Sequence, residues 1–542
     1  MIHGHLSGLK AGQIQALERI QRRRIAVDQV ISVELARYLT ERAYDMRRQV
    51  GVIVDRQGEI QHVIVGDDRE IVIPDLSGYG LGRGGLRGLR CIHTHLKGEP
   101  LSQDDLTDLA LLRLDLMVAL AVGRDGLPGR VDYAHLLPPV PGGESVEVES
   151  VPSIHDLDLD FAAFTRALET ELERKVDDTI DLSDGRERAI LISVSQAPRQ
   201  ETEDSLDELA ELARTADVVV LDRVVQRPRQ LNPKYLMGEG KVKEVIIRAL
   251  QQRATVLIFD QDLSPVQVRS ISEITEIKVI DRSQLILDIF ARRAHTLDGK
   301  VQVELAQLKY IMPRLIGRGT AMSRLMGGIG GRGPGETKLE IDRRRIRERI
   351  ARLEKQLADL ARGRLQRRQR RIRAEVPIVS IVGYTNAGKS TLLNALTQSK
   401  VFTEDLLFAT LDTSTRRLRF PMEREVIITD TVGFIRKLPK SLLGAFKATL
   451  EELEDADLLL HVVDLSNPRF EEHIRAVERI LGELELDRIP RLLVFNKTDR
   501  VPPEEVAPLC RRFDAVPVSA LDRRSFDGLL AELQRRFWPD DD

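Results

Sequence analysis

The chain has 542 residues, of which 42% are hydrophobic and 31% charged, and its formal net charge is −3. This length exceeds what a single hydrophobic core supports, so we expect three or four domains. With only two cysteines, the chain cannot carry a disulfide framework. It has no apolar run near the roughly 20 residues of a membrane span and no secretory signal, which excludes a membrane-spanning or secreted protein. These features predict a cytoplasmic protein.

The charges are unevenly placed along the chain. Residues 145–160 are acidic, whereas residues 343–373 are strongly basic. A local excess of Lys and Arg favours a polyanionic partner.

Residues 1–136 mix strand and helix patterns and are predicted to form the first domain. Gly51–Asp55 and Val63–Val65 are predicted strands, and Leu106–Leu120 is a predicted helix. Residues 137–155 are rich in Pro, Gly, Ser and Glu, which is typical of a linker. We therefore predict a linker and a leading helix over residues 137–187.

Residues 188–298 alternate short β-rich runs with helical segments. This alternation predicts an α/β domain with a parallel sheet. The predicted strands are Ala189–Val194, Val218–Leu221, Thr255–Asp260 and Ile277–Ile280.

Residues 299–374 have helical periodicity on both sides of a loop rich in Gly and Arg. Apolar residues repeat every three or four positions in both segments, which predicts two helices that pair as a hairpin with the Gly/Arg-rich loop at its tip. They are Leu305, Leu308, Met312 and Leu315 before the loop, and Ile346, Ile350, Leu353, Leu357 and Leu360 after it.

Residues 375–542 alternate strands and helices again, and their first strand precedes Gly383–Ser390 (GYTNAGKS). This segment matches the phosphate-binding pattern G-x-x-x-x-G-K-[ST], in which backbone N–H groups and a helix N-terminus bind phosphate. Lys389 is predicted to contact the β- and γ-phosphates and the Ser390 hydroxyl to bind Mg²⁺.

Four further motifs follow in the order of a guanine-nucleotide domain. Asp430–Gly433 supplies a Mg²⁺ carboxylate and a γ-phosphate contact, and Phe408–Asp412 precedes it as a switch loop. Thr410 is our choice for the second Mg²⁺ hydroxyl, with Thr413 and Thr415 as rivals. Asn496–Asp499 supplies the Asp499 carboxylate, which accepts hydrogen bonds from guanine N1–H and the exocyclic amine and so selects guanine over adenine. Ser519–Leu521 offers its backbone to the guanine carbonyl.

The predicted nucleotide-binding residues are Gly383, Tyr384, Thr385, Asn386, Ala387, Gly388, Lys389, Ser390, Thr391, Phe408, Ala409, Thr410, Leu411, Asp412, Asp430, Thr431, Val432, Gly433, Asn496, Lys497, Thr498, Asp499, Ser519, Ala520 and Leu521. Ser390, Thr410 and Asp430 are the predicted Mg²⁺ ligands.

Phe434 stands where Ras has its water-orienting Gln. A phenyl ring cannot orient water, so we predict slow intrinsic hydrolysis and a partner that supplies or orders the missing group. Asn386 matches a position at which some GTPases coordinate K⁺; an Asn that only stabilises the loop is the alternative.

Residues 188–537 resemble the HflX family of ribosome-associated GTPases. The resemblance is carried by Gly327–Arg345 (GGIGGRGPGETKLEIDRRR), Phe408–Asp412 (FATLD), Asp430–Phe434 (DTVGF), Asn232–Lys241 and Asp281–Ala291. It implies a multi-domain α/β protein with an upstream α/β domain, a helical hairpin and a C-terminal P-loop GTPase domain. It also implies a cytoplasmic monomer that hydrolyses GTP, binds the large (50S) ribosomal subunit and splits or rescues stalled ribosomes under stress.

Arginines around the hairpin loop are the predicted contacts to ribosomal RNA. They neutralise phosphates, and the glycines between them permit close approach to the RNA. These residues are Arg318, Arg324, Arg332, Arg343, Arg344 and Arg345. A solvated face of a coiled coil is the alternative.

The first domain resembles MPN/JAMM-type metalloproteases at Cys91–Leu106 (CIHTHLKGEPLSQDDL). By that resemblance, His93, His95 and Asp105 bind zinc. The sequence departs from the pattern because Leu96 replaces a Pro, the spacing to Ser102 is one residue short, and no acid stands at Arg48–Gly51, where the general base belongs. Zinc binding, a zinc peptidase and an inherited fold without metal remain alternatives.

Three functions are therefore open from the sequence. The chain is a ribosome-activated GTPase, a nucleotide-controlled scaffold on RNA or protein, or a zinc hydrolase gated by a GTPase.

Overall fold

The computed structural model describes residues 2–76, 78–138, 145–177, 185–315, 338–372, 376–397, 407–408, 414–420, 424–430, 433–435 and 451–539. The chain divides into two compact units. The first comprises Met1–Ile190, Pro228–Leu257 and Ser270–Val279, and the second comprises Leu191–Arg227, Ile258–Arg269 and Ile280–Asp542. None of the helices in the described ranges combines the length and apolar composition that a bilayer crossing requires.

A seven-stranded mixed sheet organises the first unit. Its strand order is β1-β3-β2-β4-β5-β6-β7, with β1 Ile2–Gly4, β2 Val50–Asp55, β3 Ile60–Val65, β4 Leu89–His95, β5 Leu116–Val122, β6 Pro128–Leu136 and β7 Val146–Val151. Four helices accompany it: α1 Ala11–Gln21, α2 Val33–Met46, α3 Gln103–Leu112 and α4 Phe161–Asp177.

Both faces of this sheet are buried, because side chains alternate along each strand. On one face Val52 and Val118 belong to a core with Leu39 of α2. On the other face Cys91 and Met117 belong to a core with Leu109 of α3 and Leu168 of α4. The unit is therefore a sheet between two helical layers.

The predicted helix Leu106–Leu120 is wrong over its second half. Helix α3 ends at Leu112, and Arg113 adopts a left-handed conformation with φ of 54°. Leu116–Val122 is instead a fully buried central strand that pairs in parallel with β4. A continuous apolar run has the same appearance in a buried helix and a buried strand, which explains the error.

The predicted linker is wrong over Val146–Val151. These residues form β7, which pairs antiparallel with β6 from Val131↔Val151 to Leu136↔Val146. Val and Glu alternate at 146–149, as in a strand with one solvated face, but the Pro and Gly before them dominate the local composition.

A four-stranded sheet follows, with the order β11-β10-β8-β9. Its strands are β8 Glu187–Val194, β9 Val218–Gln226, β10 Val256–Phe259 and β11 Lys278–Asp281. Helices alternate with them, as the sequence predicts: α5 Arg199–Thr215, α6 Glu239–Gln251, α7 Pro265–Ser272 and α8 Arg282–Arg293.

Two helices of the second unit pair as predicted, α9 (Leu297–Ile311) and the 35-residue α10 (Lys338–Ile372). Leu353 is fully buried against Val301 and Leu305. An ion pair joins Arg349 to Glu304 at 2.6 Å across the seam. The Gly/Arg-rich loop lies outside the described residues.

The six-stranded sheet of the second unit has the order β13-β14-β12-β15-β16-β17. Its strands are β12 Ile378–Gly383, β13 Ser414–Arg419, β14 Glu425–Asp430, β15 Leu458–Asp464, β16 Arg491–Asn496 and β17 Ala515–Pro517. Only the edge strand β13 runs antiparallel to its neighbour. The helices are α11 Lys389–Thr397, α12 Phe470–Glu483, α13 Pro503–Phe513 and α14 Asp527–Phe537.

Candidate nucleotide site

The predicted motifs of the last domain follow the carboxyl ends of β12, β14, β16 and β17. These strands are parallel, so their carboxyl ends lie at one edge of the sheet, where ligands bind in open α/β folds. Residues 383–388 form the turn from β12 into α11, and α11 begins at Lys389.

Three residues of the loop 383–388 have positive φ, and two of them, Gly383 and Gly388, have no room for a Cβ. Gly388 has φ of +87°, and a Cβ there would lie 2.3 Å from Asn496 Nδ2. Asn386 has φ of 62°, a conformation that Asn tolerates better than most residues. The backbone therefore bends tightly before the first turn of α11.

Lys389 is almost completely buried beneath this loop, with 7% exposure. Its Nζ donates a hydrogen bond of 2.9 Å to the Tyr384 carbonyl, which holds the side chain along the loop. Burial lowers the pKa of Lys389 to about 8, although the nearby Asp430 carboxylate opposes that shift. An anionic ligand in the loop would favour the charged amine.

Ser390 and Asp430 bring a hydroxyl and a carboxylate together. Ser390 Oγ donates to Asp430 Oδ2 at 2.5 Å, and Asp430 is fully buried at the end of β14. Oxygen donors of this kind are the ligands that Mg²⁺ prefers.

Gly433 and Phe434 close the opposite side of the loop. Thr385 N donates to the Phe434 carbonyl at 2.8 Å, and Phe434 N donates to the Gly383 carbonyl at 3.1 Å. A Cβ on Gly433 would lie 2.8 Å from Lys389 Nζ and 2.9 Å from Thr385 Cα, so only glycine fits. The Phe434 side chain is buried with 2% exposure and belongs to the core.

Asn496 connects the segments after β16 and β17 to the loop 383–388 through hydrogen bonds. Its Nδ2 donates to the Ala387 carbonyl at 2.8 Å, and its Oδ1 accepts from Ala520 N at 3.0 Å. Thr498 Oγ1 donates to the Val518 carbonyl at 2.9 Å. These bonds fix the segments 496–499 and 519–521 beside the loop 383–388.

The Asp499 carboxylate is positioned by a serine on the neighbouring loop. Asp499 Oδ1 accepts from Ser519 Oγ at 2.6 Å, and Ser519 is itself held by a bond from its backbone N to Ser525 Oγ. Leu521, in contrast, is 77% exposed.

Some predicted site residues lie outside the described part of the chain. They are Ala409, Thr410, Leu411, Asp412, Thr431 and Val432. Phe408 is described, and its ring packs at 4.7 Å in a T-shaped contact with Phe290 of α8. The adjacent Leu407 N donates to Thr215 Oγ1 at 3.2 Å. The start of the predicted switch loop therefore contacts the upstream α/β elements of the same unit.

Two residues that contact predicted site residues, Asp464 and His473, were not predicted from the sequence. Asp464 ends β15, and its Oδ2 lies 2.7 Å from Lys497 Nζ. A carboxylate directly after a buried strand was the available signal. His473 of α12 stacks on Tyr384 with ring centroids 3.9 Å apart and 4° between planes. No local pattern marks His473, because this contact depends on the packing of α12.

His461 is a buried titratable group below the loop, on β15 beside Val382. Burial, together with the charges of Arg491 and Lys389, lowers the pKa of His461 to about 3. Because the folded pKa is below the unfolded value of about 6.5, the unfolded chain binds more protons as pH falls. The contribution of neutral His461 to the free energy of unfolding is therefore fully present above about pH 6.5 and is lost as the pH falls from 6.5 to 3.

We expect His461 to cost about 2 kcal/mol of unfolding free energy at pH 5 relative to pH 7. Denaturant unfolding of wild type and His461→Leu at both pH values measures this difference, which should be larger in wild type. The exposed His155→Leu is the matched control. An equal pH dependence in wild type and His461→Leu would contradict the assignment.

Three family models match consecutive parts of the chain. A "GTP-binding GTPase N-terminal" model matches residues 203–291, and a "GTP-binding GTPase Middle Region" model matches residues 293–371. A "50S ribosome-binding GTPase" model matches residues 378–497. Residues before 203 lie outside all three matches.

Curated relatives are similar over most of their own length. The chain is 48% identical over 358 residues to GTPase HflX of Caldanaerobacter subterraneus subsp. tengcongensis, covering 66% of this chain and 82% of the relative. It is 47% identical to GTPase HflX of Escherichia coli, covering 59% of this chain and 75% of the relative. A solved GTP-binding protein from Sulfolobus solfataricus in complex with GDP is 24% identical, covers 64% of this chain and 99% of that chain, and has a TM-score of 0.36. The sheets described above confirm the predicted multi-domain α/β fold. The identities to the two curated relatives and the family-model matches confirm the predicted resemblance, and the chain belongs to the HflX family of GTPases.

Proposed function

We propose that this GTPase binds the large ribosomal subunit in its GTP state, through ribosomal RNA, and splits or rescues stalled ribosomes. One observation carries the proposal: the second unit combines the loop 383–388, with Lys389 beneath it, and the paired helices α9 and α10, the second of which is strongly basic. A nucleotide switch and a polyanion-binding arm in one compact unit suit a protein that acts on RNA.

The nucleotide-binding residues of the sequence prediction keep their roles in this proposal. Backbone N–H groups of residues 383–391 bind the phosphates, and Lys389 neutralises the β- and γ-phosphate charge. Asp499 accepts the guanine donors, and residues 519–521 present backbone N–H groups to the guanine carbonyl. Thr431, Val432 and Gly433 approach the γ-phosphate.

Mg²⁺ is held by Ser390, Thr410 and Asp430 in the proposed site. The 2.5 Å contact between Ser390 Oγ and Asp430 Oδ2 supports two of these ligands. The ion supplies neutralisation of the charge on the phosphate oxygens. We also propose K⁺ at Asn386, whose left-handed backbone equally suits a residue that only shapes the loop.

The Phe434 side chain supports the proposal that hydrolysis requires a partner. Its ring is buried in the core and has no group that could orient water. We therefore propose that the large subunit supplies or orders the missing group, and that intrinsic turnover is slow.

Arginines near the hairpin carry the RNA contacts in this proposal. Arg344 and Arg345 are exposed on α10, and Arg343 is half-buried. Arg318, Arg324 and Arg332 belong to the segment outside the described residues. The proposal keeps a cytoplasmic monomer and the segments 188–298, 299–374 and 375–542. Strand β7 and helix α4 of segment 137–187 belong with the sheet of segment 1–136.

GTP turnover with and without purified large ribosomal subunits tests the proposal. We expect subunits to raise turnover by at least about tenfold, since positioning groups supplied in trans give large factors in GTPases. Because binding neutralises phosphates, the subunit affinity should fall by at least about tenfold between 50 and 200 mM salt. Gradient sedimentation of whole ribosomes with GTP should show separated subunits.

The outcomes separate this proposal from its alternative. Subunit binding without stimulation or separation would overturn ribosome splitting and favour a nucleotide-controlled scaffold. Unchanged turnover without binding would overturn both. Arg344→Ala with Arg345→Ala should weaken the subunit affinity and leave intrinsic turnover unchanged, with the exposed pair Arg511→Ala and Arg512→Ala on α13 as the control.

A further inference from the structure

His93, His95 and Asp105 meet in the first unit, far along the chain from the nucleotide motifs. His93 and His95 are two residues apart on β4, so their side chains lie on the same face of the sheet. Asp105 is in the first turn of α3. Ligand atoms of all three side chains lie within 4.8 Å of one another.

The distances between these atoms match the face of a tetrahedral metal site. Nε2 atoms of His93 and His95 are 2.9 Å apart. Asp105 Oδ1 is 3.2 Å from His93 Nε2, and Asp105 Oδ2 is 3.6 Å from His95 Nε2. Ligands about 2.0–2.1 Å from a tetrahedral zinc ion are about 3.4 Å apart, close to the mean of the three distances.

Neighbouring groups orient the donors toward this common point. His95 Nδ1 lies 2.9 Å from the Glu99 carbonyl, which can only accept a hydrogen bond. The proton of the neutral ring therefore sits on Nδ1 and leaves the lone pair of Nε2 directed at the cluster. Ser102 N and Ser102 Oγ each donate to Asp105 Oδ2 at 2.7 Å, which fixes the carboxylate.

The three side chains are largely shielded from solvent, which favours a metal site over a cluster of hydrated polar side chains. His93 is fully buried, His95 is 3% exposed, and the Asp105 side chain is 15% exposed. Two imidazoles and one carboxylate are typical ligands of zinc, whereas Mg²⁺ and Ca²⁺ prefer oxygen alone.

We propose that His93, His95 and Asp105 bind one Zn²⁺-class ion that joins β4 to the start of α3 and stabilises the first unit. Helix α3 packs against β5 and β6 of the sheet and against helix α6. An ion bound to Asp105 would therefore fix the start of a helix that contacts both the sheet and α6. The proposal is independent of the nucleotide site.

The surroundings favour a structural role over peptide hydrolysis. A zinc hydrolase needs a base within reach of the metal-bound water. In the segment directly before β2, where that base would stand, Arg48 donates to the carbonyls of His5 and Ser7, and Gln49 Nε2 donates to the Arg69 carbonyl at 2.8 Å. Neither side chain is a carboxylate, and both are engaged with backbone.

The test uses the full chain, stripped with a chelator and titrated with Zn²⁺ or Co²⁺. We expect about one ion per chain, a visible absorption band typical of four-coordinate Co²⁺, and a rise in the thermal midpoint by a few degrees or more on zinc addition. His93→Gln and Asp105→Asn should each weaken metal affinity by about 100-fold or more, since even indirect partners of ligands contribute 10- to 100-fold. Asp104→Asn, an exposed neighbour in the same helical turn, is the matched control.

Several results would overturn the proposal. The first is a zinc affinity of the wild-type chain no higher than that of the variants. The second is a loss of zinc affinity in Asp104→Asn equal to that in Asp105→Asn. The third is a thermal midpoint that does not change when zinc is added. The last would indicate that His93 and Asp105 form a metal-free ion pair. Zinc-dependent cleavage of an unfolded protein substrate would overturn the structural role. If the variants do not fold, stoichiometry and Co²⁺ absorption of the wild-type chain decide alone.

Discussion

Replacement of Lys389 by Ala is expected to lower GTP affinity by about 10²-fold or more and to reduce turnover at least as strongly. The ammonium is buried under the loop 383–388 and bonded to the Tyr384 carbonyl, so it is held in place before any nucleotide arrives. Hydrogen bonds to charged groups contribute about 1.5–3 kcal/mol each, and the proposed role of Lys389 gives it two such bonds, one to the β- and one to the γ-phosphate.

A fluorescent GTP analogue titrated in the presence of Mg²⁺ measures this loss. Lys300→Ala, at an exposed position of α9, is the matched control and should bind nucleotide like wild type. A thermal scan of both variants separates lost binding from lost folding. A well-folded Lys389→Ala protein with GTP affinity within about threefold of wild type would show that phosphate is bound elsewhere.

The second large effect is expected at the base. In Asp499→Asn the carboxylate proposed to accept from guanine N1–H and the exocyclic amine becomes an amide with a single acceptor oxygen. We expect GTP affinity to fall by about 10²-fold or more, because buried donors of the base lose a charged partner. Xanthine has a carbonyl where guanine has its exocyclic amine, and the new N–H₂ group of Asn can donate to that carbonyl. Xanthosine triphosphate should therefore bind this variant better than GTP does.

Competition between GTP, xanthosine triphosphate and ATP for wild type and Asp499→Asn measures this exchange of preference. Asp487→Asn is the control, since Asp487 is exposed and precedes β16, at the opposite edge of the sheet. Loss of all nucleotide binding with intact folding would point to a structural role for the 2.6 Å bond between Ser519 and Asp499.

The nucleotide domain was largely predictable because its signals are local. An apolar strand, a Gly-rich turn and Lys389-Ser390 occupy consecutive positions, and the structure places them at one edge of the sheet. What sequence reasoning missed there depends on tertiary packing: the stacking of His473 on Tyr384 and the antiparallel edge strand β13.

The first unit was less predictable for a physical reason. Leu116–Val122 is buried on both faces, so it lacks the alternation that distinguishes a strand from a helix. The break from α3 is only residues 113–115, and it begins at the left-handed Arg113. Strand β7 was hidden by the Pro- and Gly-rich residues before it. The convergence of His93, His95 and Asp105, in contrast, follows from local spacing, namely alternation on a strand and a nearby helix start.

Calorimetric titration of the full chain with GTP and with ATP, in the presence of Mg²⁺, tests whether this chain binds guanine nucleotides selectively. We expect one GTP per chain, binding that weakens strongly when Mg²⁺ is removed, and ATP affinity lower by at least about 10²-fold. Equal affinity for ATP and GTP, or no heat of binding with GTP from a folded chain, would contradict this expectation.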